Sequence, residues 1–188
     1  EYGAVQLTDI MRFTDPAEAA ASLALRDGRT EAVGFYLDQN RIHPGTDETT
    51  LKETLDAWIS DRADGMDSIM LAGTKQAVAA LNNWARTHRL TTEATPADQV
   101  SVALSDGNHA SVGDLIVTRL NDRRLTTSAT DWVKNGDRWT ITHTTPTGTV
   151  TAKHITSGLT VQLPPAYVNS HVELGYAVTI HGAQGITV

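Results

Sequence analysis

The sequence contains no cysteine, so this chain can form neither a disulfide nor a thiolate metal site. No apolar run approaches the roughly 20 residues that a membrane-spanning helix needs. No signal peptide is visible at the N-terminus either. These absences predict a cytoplasmic protein without a membrane span.

Several catalytic motifs are also missing. The Gly-x-x-x-x-Gly-Lys-Ser/Thr loop that cradles nucleotide phosphates does not occur, and neither does a Walker B acidic site for magnesium. There is no His-Glu-x-x-His, no Gly-x-Ser-x-Gly, and no metal pattern among the seven histidines. The chain alone is therefore predicted not to hydrolyse ATP, to bind no metal and to carry no hydrolase triad.

The formal net charge is −7, whereas proteins that bind polynucleotides usually present a basic surface. Any contact with DNA would need a local groove built from backbone amides, hydroxyls and a few cations. The 188 residues suffice for one large domain or two small ones. Because the chain starts at Glu1 and stops in the apolar stretch before Val188, we expect it to be a piece of a longer protein.

The first half reads as mainly helical, with helices predicted over residues 17–25, 31–39 and 48–62. The third is amphipathic by its spacing of apolar residues. A short apolar run at 68–72 then predicts a buried strand, and Thr74 is the expected N-cap of the helix that follows it. Such a junction lies at the carboxyl edge of an α/β sheet, where a helix N-terminus suits a phosphate.

From residue 100 onward the pattern favours short strands. Asn135-Gly136 lies between β-forming residues and predicts a hairpin between the strands that contain Trp132 and Trp139. Together with strands predicted near 100–104, 114–120, 140–143, 150–155 and 159–163, this indicates a small SH3-like or OB-like barrel. The segment 172–184 is predicted as a helix, although its β-branched residues weaken that prediction.

Residues 174–185 read LGYAVTIHGAQG, which resembles the motif V region of RecD-like superfamily 1 DNA helicases. The segment 7–13, LTDIMRF, resembles their motif IV. The residues LAGT at 71–74 and LNNWAR at 81–86 resemble a DNA-contacting segment of the family, and VGD at 112–114 resembles the start of its SH3-like insert. The resemblance is closest to the helicase part of conjugative relaxases of the TraI/TrwC type, through NDRRL at 121–125, NGDRW at 135–139 and LPPAYV at 163–168.

This resemblance implies an α/β fold, the second RecA-like motor domain of a P-loop NTPase type, with an inserted SH3-like β-barrel. The expected boundaries are 1–105 for the first RecA-like segment, 106–163 for the barrel and 164–188 for the second segment. ATP and Mg²⁺ would bind in the longer parent protein, between this domain and a first RecA-like domain that the chain lacks.

The resemblance also implies roles for individual residues. Arg12 would be an arginine finger, and Gln184 with Gly185 would lie near the nucleotide. Their structural alternatives are a surface arginine and a helix C-terminus.

Six residues are implied as contacts to single-stranded DNA, in keeping with neutral backbone donors and with stacking or cationic groups in the insert. The alternatives are a simple N-cap for Thr74, a structural histidine, and tryptophans that fill the barrel core. Tyr176 has a core-packing alternative of the same kind. The six are Thr74, Thr179, His181, Arg119, Asn135 and Trp139.

Three functions stay open at this point. The first is a fragment of an ATP-dependent DNA helicase or translocase that contributes DNA contacts and one half of the ATP site. The second is a nucleic-acid or protein-binding module without motor activity. The third is a degenerate helicase domain that keeps the fold without ATPase activity.

Overall fold

The computed structural model describes residues 13–93 and 100–183. Contacts along the chain group it into two compact units, Glu1–Thr50 and Leu51–Val188. The helices are Pro16–Arg26 (α1), Glu31–Asp38 (α2), Asp47–Ala63 (α3), Lys75–Thr92 (α4) and Pro165–His171 (α5), with a 3-10 helix at His181–Ala183. The strands are Met70–Ala72 (β1), Val102–Ala103 (β2), His109–Ala110 (β3), Leu115–Thr118 (β4), Asp122–Thr126 (β5), Trp132–Val133 (β6), Arg138–Thr144 (β7), Val150–His154 (β8), Thr160–Leu163 (β9), Val172–Leu174 (β10) and Ala177–Thr179 (β11).

In the first unit, α1 and α2 pack against each other. Helix α1 begins where the Asp15 carboxylate accepts a hydrogen bond from the backbone N–H of Ala17 at 2.8 Å, with Pro16 in the first turn. It ends before Gly28, whose φ of 71° lets the chain reverse direction. The helices predicted over 17–25 and 31–39 are thus confirmed.

Helix α3 confirms the amphipathic prediction. Leu51, Leu55 and Ile59 are partly buried against the core of the second unit, and Trp58 on the same face is buried. The indole N–H of Trp58 donates to the carbonyl of Ser68 at 3.2 Å, so the helix is held to the segment that leads into β1.

The predicted strand, turn and helix at the centre of the chain are confirmed. Strand β1 is followed by Gly73 and by Thr74, whose hydroxyl oxygen accepts the backbone N–H of Ala77 at 3.1 Å and caps α4. Strand β1 pairs in parallel with β11, with Met70 opposite Ala177. A pair of parallel strands therefore joins two segments that lie far apart in the sequence.

The β-rich block forms a five-stranded antiparallel sheet in the order β10-β4-β7-β8-β9, with the two-stranded pairs β2-β3 and β5-β6 beside it. Its core is apolar and close-packed. Fully buried side chains in this block include Ile116, Trp139, Ile141, Val150 and Leu163.

The hairpin predicted at Asn135-Gly136 is wrong, although the tight turn is present. Strand β6 pairs with β5, while β7 pairs with β4 and β8. Gly136 has a φ of 91° and donates its N–H to the carbonyl of Thr118 at 2.8 Å. The turn therefore passes the chain from one pair of strands to another. The first residues of β7, Arg138 and Trp139, point to opposite faces and are both buried, which suits the central place of β7 in the larger sheet.

The helix predicted over 172–184 is also wrong within the described residues. The segment contains β10, β11 and the 3-10 helix instead. Its β-branched residues favour extended backbone, and both strands find partners distant in the sequence. Strand β10 pairs with β4 in the five-stranded sheet, whereas β11 pairs with β1.

Gly175 permits the change of sheet between β10 and β11. A Cβ atom at this position would lie 2.7 Å from the backbone carbonyl carbon of Ile116. We expect Gly175→Ala to lower the free energy of unfolding by about 1–3 kcal/mol, because backbone must move to admit the methyl group. Urea denaturation measures this change. Gly73→Ala is the control, since a Cβ there would meet no atom within 4 Å, and an equal loss in both variants would contradict the explanation.

Candidate nucleic-acid interface

The carboxyl ends of β1 and β11 form one edge of the parallel pair. Gly73 and Thr74 follow β1, and Ile180 and His181 follow β11. The backbone N–H of Ile180 donates to the carbonyl of Ala72 at 3.2 Å, which holds the two ends together. These residues, with Thr179, are called the sheet edge. An open groove of about 650 Å³ lies along it, lined by Gly73, Thr179, Ile180, His181 and Ala183.

The polar groups of the sheet edge keep hydrogen-bonding capacity. The hydroxyl oxygen of Thr74 accepts the N–H of Ala77, and that of Thr179 accepts the N–H of Gly182 at 3.0 Å. Within residues 13–93 and 100–183 neither hydroxyl donates to a protein acceptor, so each can donate to a ligand oxygen. His181 is exposed in the 3-10 helix. The structure thus brings three of the six predicted DNA contacts to one edge.

A second cavity, here called the cleft, shares Thr179 with the groove. Its volume is about 480 Å³. Arg119 lines it and forms an ion pair with Glu173, with 2.7 Å between Nε and Oε2. The Glu173 carboxylate offsets part of the arginine charge. Arg119 therefore offers a ligand N–H donors in a fixed position, with less net positive charge than an unpaired arginine. The cleft is lined by Lys75, Val78, Ala79, Asn82, Asp106, Asn108, Arg119, Glu173 and Thr179.

The remaining predicted contacts, Asn135 and Trp139, differ in exposure. Asn135 is exposed on its turn, where its backbone N–H donates to the side chain of Asn121 at 2.8 Å. Trp139 is only 1 % exposed and packs edge-on against His154, with 4.8 Å between ring centroids. This burial leaves no ring face for a base and removes Trp139 from the candidates. Tyr176 is likewise buried.

Asn82 holds the sheet edge in place, a structural role that the resemblance of residues 81–86 to a DNA-contacting segment did not indicate. Its side-chain oxygen accepts the N–H groups of Tyr176 at 3.1 Å and Ala177 at 2.9 Å, and its amide donates to the carbonyl of Ala177 at 3.1 Å. Helix α4 therefore positions β11 through the buried side chain of Asn82, which makes three hydrogen bonds. An asparagine beside Leu81 on the buried face of a helix was the available signal.

Asp114 is the centre of a buried charged cluster. The sequence did not indicate this structural role. Its carboxylate is fully buried and accepts from Arg86 Nε at 3.0 Å, Arg89 Nε at 2.9 Å and the Tyr176 hydroxyl at 2.6 Å. Burial, and then the neighbouring carboxylate, raise the pKa of the Tyr176 hydroxyl well above its usual value. The hydroxyl therefore donates, and the cluster ties α4 to the residue that precedes β4.

The three residues predicted at the nucleotide, Arg12, Gln184 and Gly185, lie outside the described residues. In the part of the chain that the structure describes, no group of three or more histidine or acidic side chains could hold a metal ion. None of the helices described there has both the length and the apolar character that crossing a membrane requires.

Comparison with known proteins gives two partial matches. Residues 1–47 match the AAA domain family, and residues 102–173 match the Rv2311 SH3-like barrel domain family. The comparison with curated proteins found no match. The first match indicates a P-loop or helicase-like region and hence an NTPase-related origin. The second assigns the β-rich block to an SH3-like barrel within a fold that mixes helices and sheets.

Proposed function

We propose that this chain is part of an ATP-dependent DNA helicase or translocase of the RecD-like type, closest to the helicase part of a conjugative relaxase. It would be the second RecA-like domain, with the SH3-like barrel inserted. The observation that carries the proposal is the sheet edge, where β1 and β11 place Thr74, Thr179 and His181 beside one groove. Ligands bind at this end of the strands in open α/β sheets.

The chemistry of the sheet edge suits a sugar–phosphate backbone. Two hydroxyls and an imidazole can donate to phosphate oxygens without a large positive charge. Arg119 in the adjoining cleft adds N–H donors that its ion pair with Glu173 holds in position. Such contacts position a single strand without reading its sequence, as a translocating motor requires. They also agree with a chain whose net charge is −7.

ATP and Mg²⁺ would be held largely by a preceding domain of the parent protein. The sequence contains no phosphate-cradling loop, and the described residues offer no metal site. Arg12, Gln184 and Gly185 are proposed to supply this domain's half of the nucleotide site. The described residues are proposed to bind and orient single-stranded DNA.

A test of the DNA role is the steady-state ATPase activity of the parent protein, titrated with single-stranded DNA. We expect Thr179→Val to raise the DNA concentration for half-maximal stimulation about fivefold, since it removes a hydrogen bond to DNA worth about 1 kcal/mol. The variant keeps the β-branched shape, although it also loses the hydrogen bond from the Gly182 N–H. Thr160→Val is the matched control, because Thr160 is exposed on β9. Stimulation unchanged by Thr179→Val would show that the strand does not use this edge.

A further inference from the structure

Strands β5 and β6 form a two-stranded ribbon on which two cations lie over one indole ring. The guanidinium carbon of Arg123 is 4.8 Å from the ring centroid of Trp132, and Lys134 Nζ is 5.6 Å from it. Trp132 is half-buried, whereas both cations are exposed. Cation–π attraction therefore holds Arg123 against a fixed ring at the surface.

The other charges of the ribbon are already paired. Arg124 donates to both carboxylate oxygens of Asp122, at 2.9 and 2.7 Å, and these side-chain hydrogen bonds are the main cause that lowers the pKa of Asp122 to about 2. Lys134 is paired with Asp131. Every other arginine in the described residues donates to a protein oxygen, but that part of the chain provides no oxygen acceptor for Arg123.

We propose that Arg123, held over the ring of Trp132, binds a phosphate of single-stranded DNA and is a second DNA contact beyond the sheet edge. The inference rests on the proposed function and extends its DNA path onto the ribbon. A guanidinium presents N–H donors in a planar fork that can match two phosphate oxygens at once. The contact with Trp132 also restricts the long side chain before binding, which reduces the entropy lost on binding.

The ribbon is within reach of the strand proposed to lie at the sheet edge. Arg119 lines the cleft that shares Thr179 with the groove, and Arg123 follows it by four residues. Four residues span at most about 14 Å, the length of a few nucleotides. A strand that passes Arg119 can therefore reach Arg123 without a long unsupported segment.

The experiment is a fluorescence anisotropy titration of labelled oligothymidylate with this chain at several salt concentrations. We expect Arg123→Ala to weaken binding about tenfold at low salt. It should also reduce the slope of log K against log salt by about 0.7, the value for one phosphate contact on a single strand. Arg123→Lys should retain most of the slope but recover only part of the affinity, because it keeps the charge without the planar fork.

Arg124→Ala is the matched control. It removes the same charge from the next position of the same strand, but that guanidinium is paired with Asp122. Equal effects of the two alanine variants would mean that only net charge matters, and an unchanged slope in Arg123→Ala would overturn the phosphate contact. If wild type binds and Thr179→Val weakens binding while Arg123→Ala does not, this inference alone fails. If wild type does not bind DNA, both the Arg123 contact and the proposed function fail.

Discussion

Replacing Arg12 with alanine should lower DNA-stimulated ATP hydrolysis by the parent protein about a thousandfold or more. An arginine that reaches the γ-phosphate from the opposing domain stabilises charge in the transition state, and such residues contribute about 10³ to 10⁵ in rate. The measurement is kcat for ATP at saturating single-stranded DNA. Because the effect is on the chemical step, the DNA concentration that gives half-maximal stimulation should stay close to that of wild type.

Arg29→Ala is the control for this prediction, since Arg29 is an exposed arginine that pairs with Glu31. Gln184→Ala should also reduce kcat if Gln184 lies near the nucleotide. Hydrolysis unaffected by either change would be consistent with a motor protein, but its nucleotide contacts would then be made by other residues. An inactive wild-type parent would contradict the motor and favour a binding module or a degenerate helicase domain.

Replacing Asp114 with asparagine should lower the free energy of unfolding by about 3–5 kcal/mol. The change keeps the shape of the side chain but leaves Arg86 and Arg89, which is 8 % exposed, without the carboxylate that both contact. The carboxylate that Arg89 then keeps is the exposed one of Glu93. A buried charge without its counterion is costly, and total stabilities are only about 5–15 kcal/mol. Denaturant unfolding followed by tryptophan fluorescence measures the loss.

Asp131→Asn is the matched control, because it breaks an exposed ion pair with Lys134 and should cost less than about 1 kcal/mol. Adding Arg89→Met to Asp114→Asn should restore part of the loss, since it removes one of the uncompensated charges. If Asp114→Asn alone proves as stable as wild type, the cluster does not hold α4 to the barrel. If the double variant is less stable than the single one, uncompensated charge is not the cause.

Local signals predicted much of the fold. The helix spacing of Leu51, Leu55 and Trp58, the capping hydroxyl of Thr74, and the short β-rich runs at 150–155 and 159–163 each depend on residues close in sequence. Pairing between strands depends instead on residues that are distant in the sequence. The turn at Gly136 was visible, yet it joins β6 to β7 without pairing them.

The candidate interface was predictable in part for the same reason. The resemblance named Thr74, Thr179 and His181, and parallel pairing of β1 with β11 brings them together. It also named Trp139, which the packing of the barrel buries. Whether a tryptophan stacks on a base or fills a core depends on which face of the strand points inward. A tight turn next to it does not decide that.

The sequence by itself determined the helices of the first half, where the β-rich block lies, and that this chain carries no phosphate loop and no cysteine. Only the tertiary structure decided that Asp114 is a buried anchor for two arginines, and that Arg123 lies on Trp132 without an oxygen acceptor in the described residues. The physical reason is that helix caps and apolar spacing act over a few residues. Burial, ion pairing and strand partners arise between residues that only folding brings together.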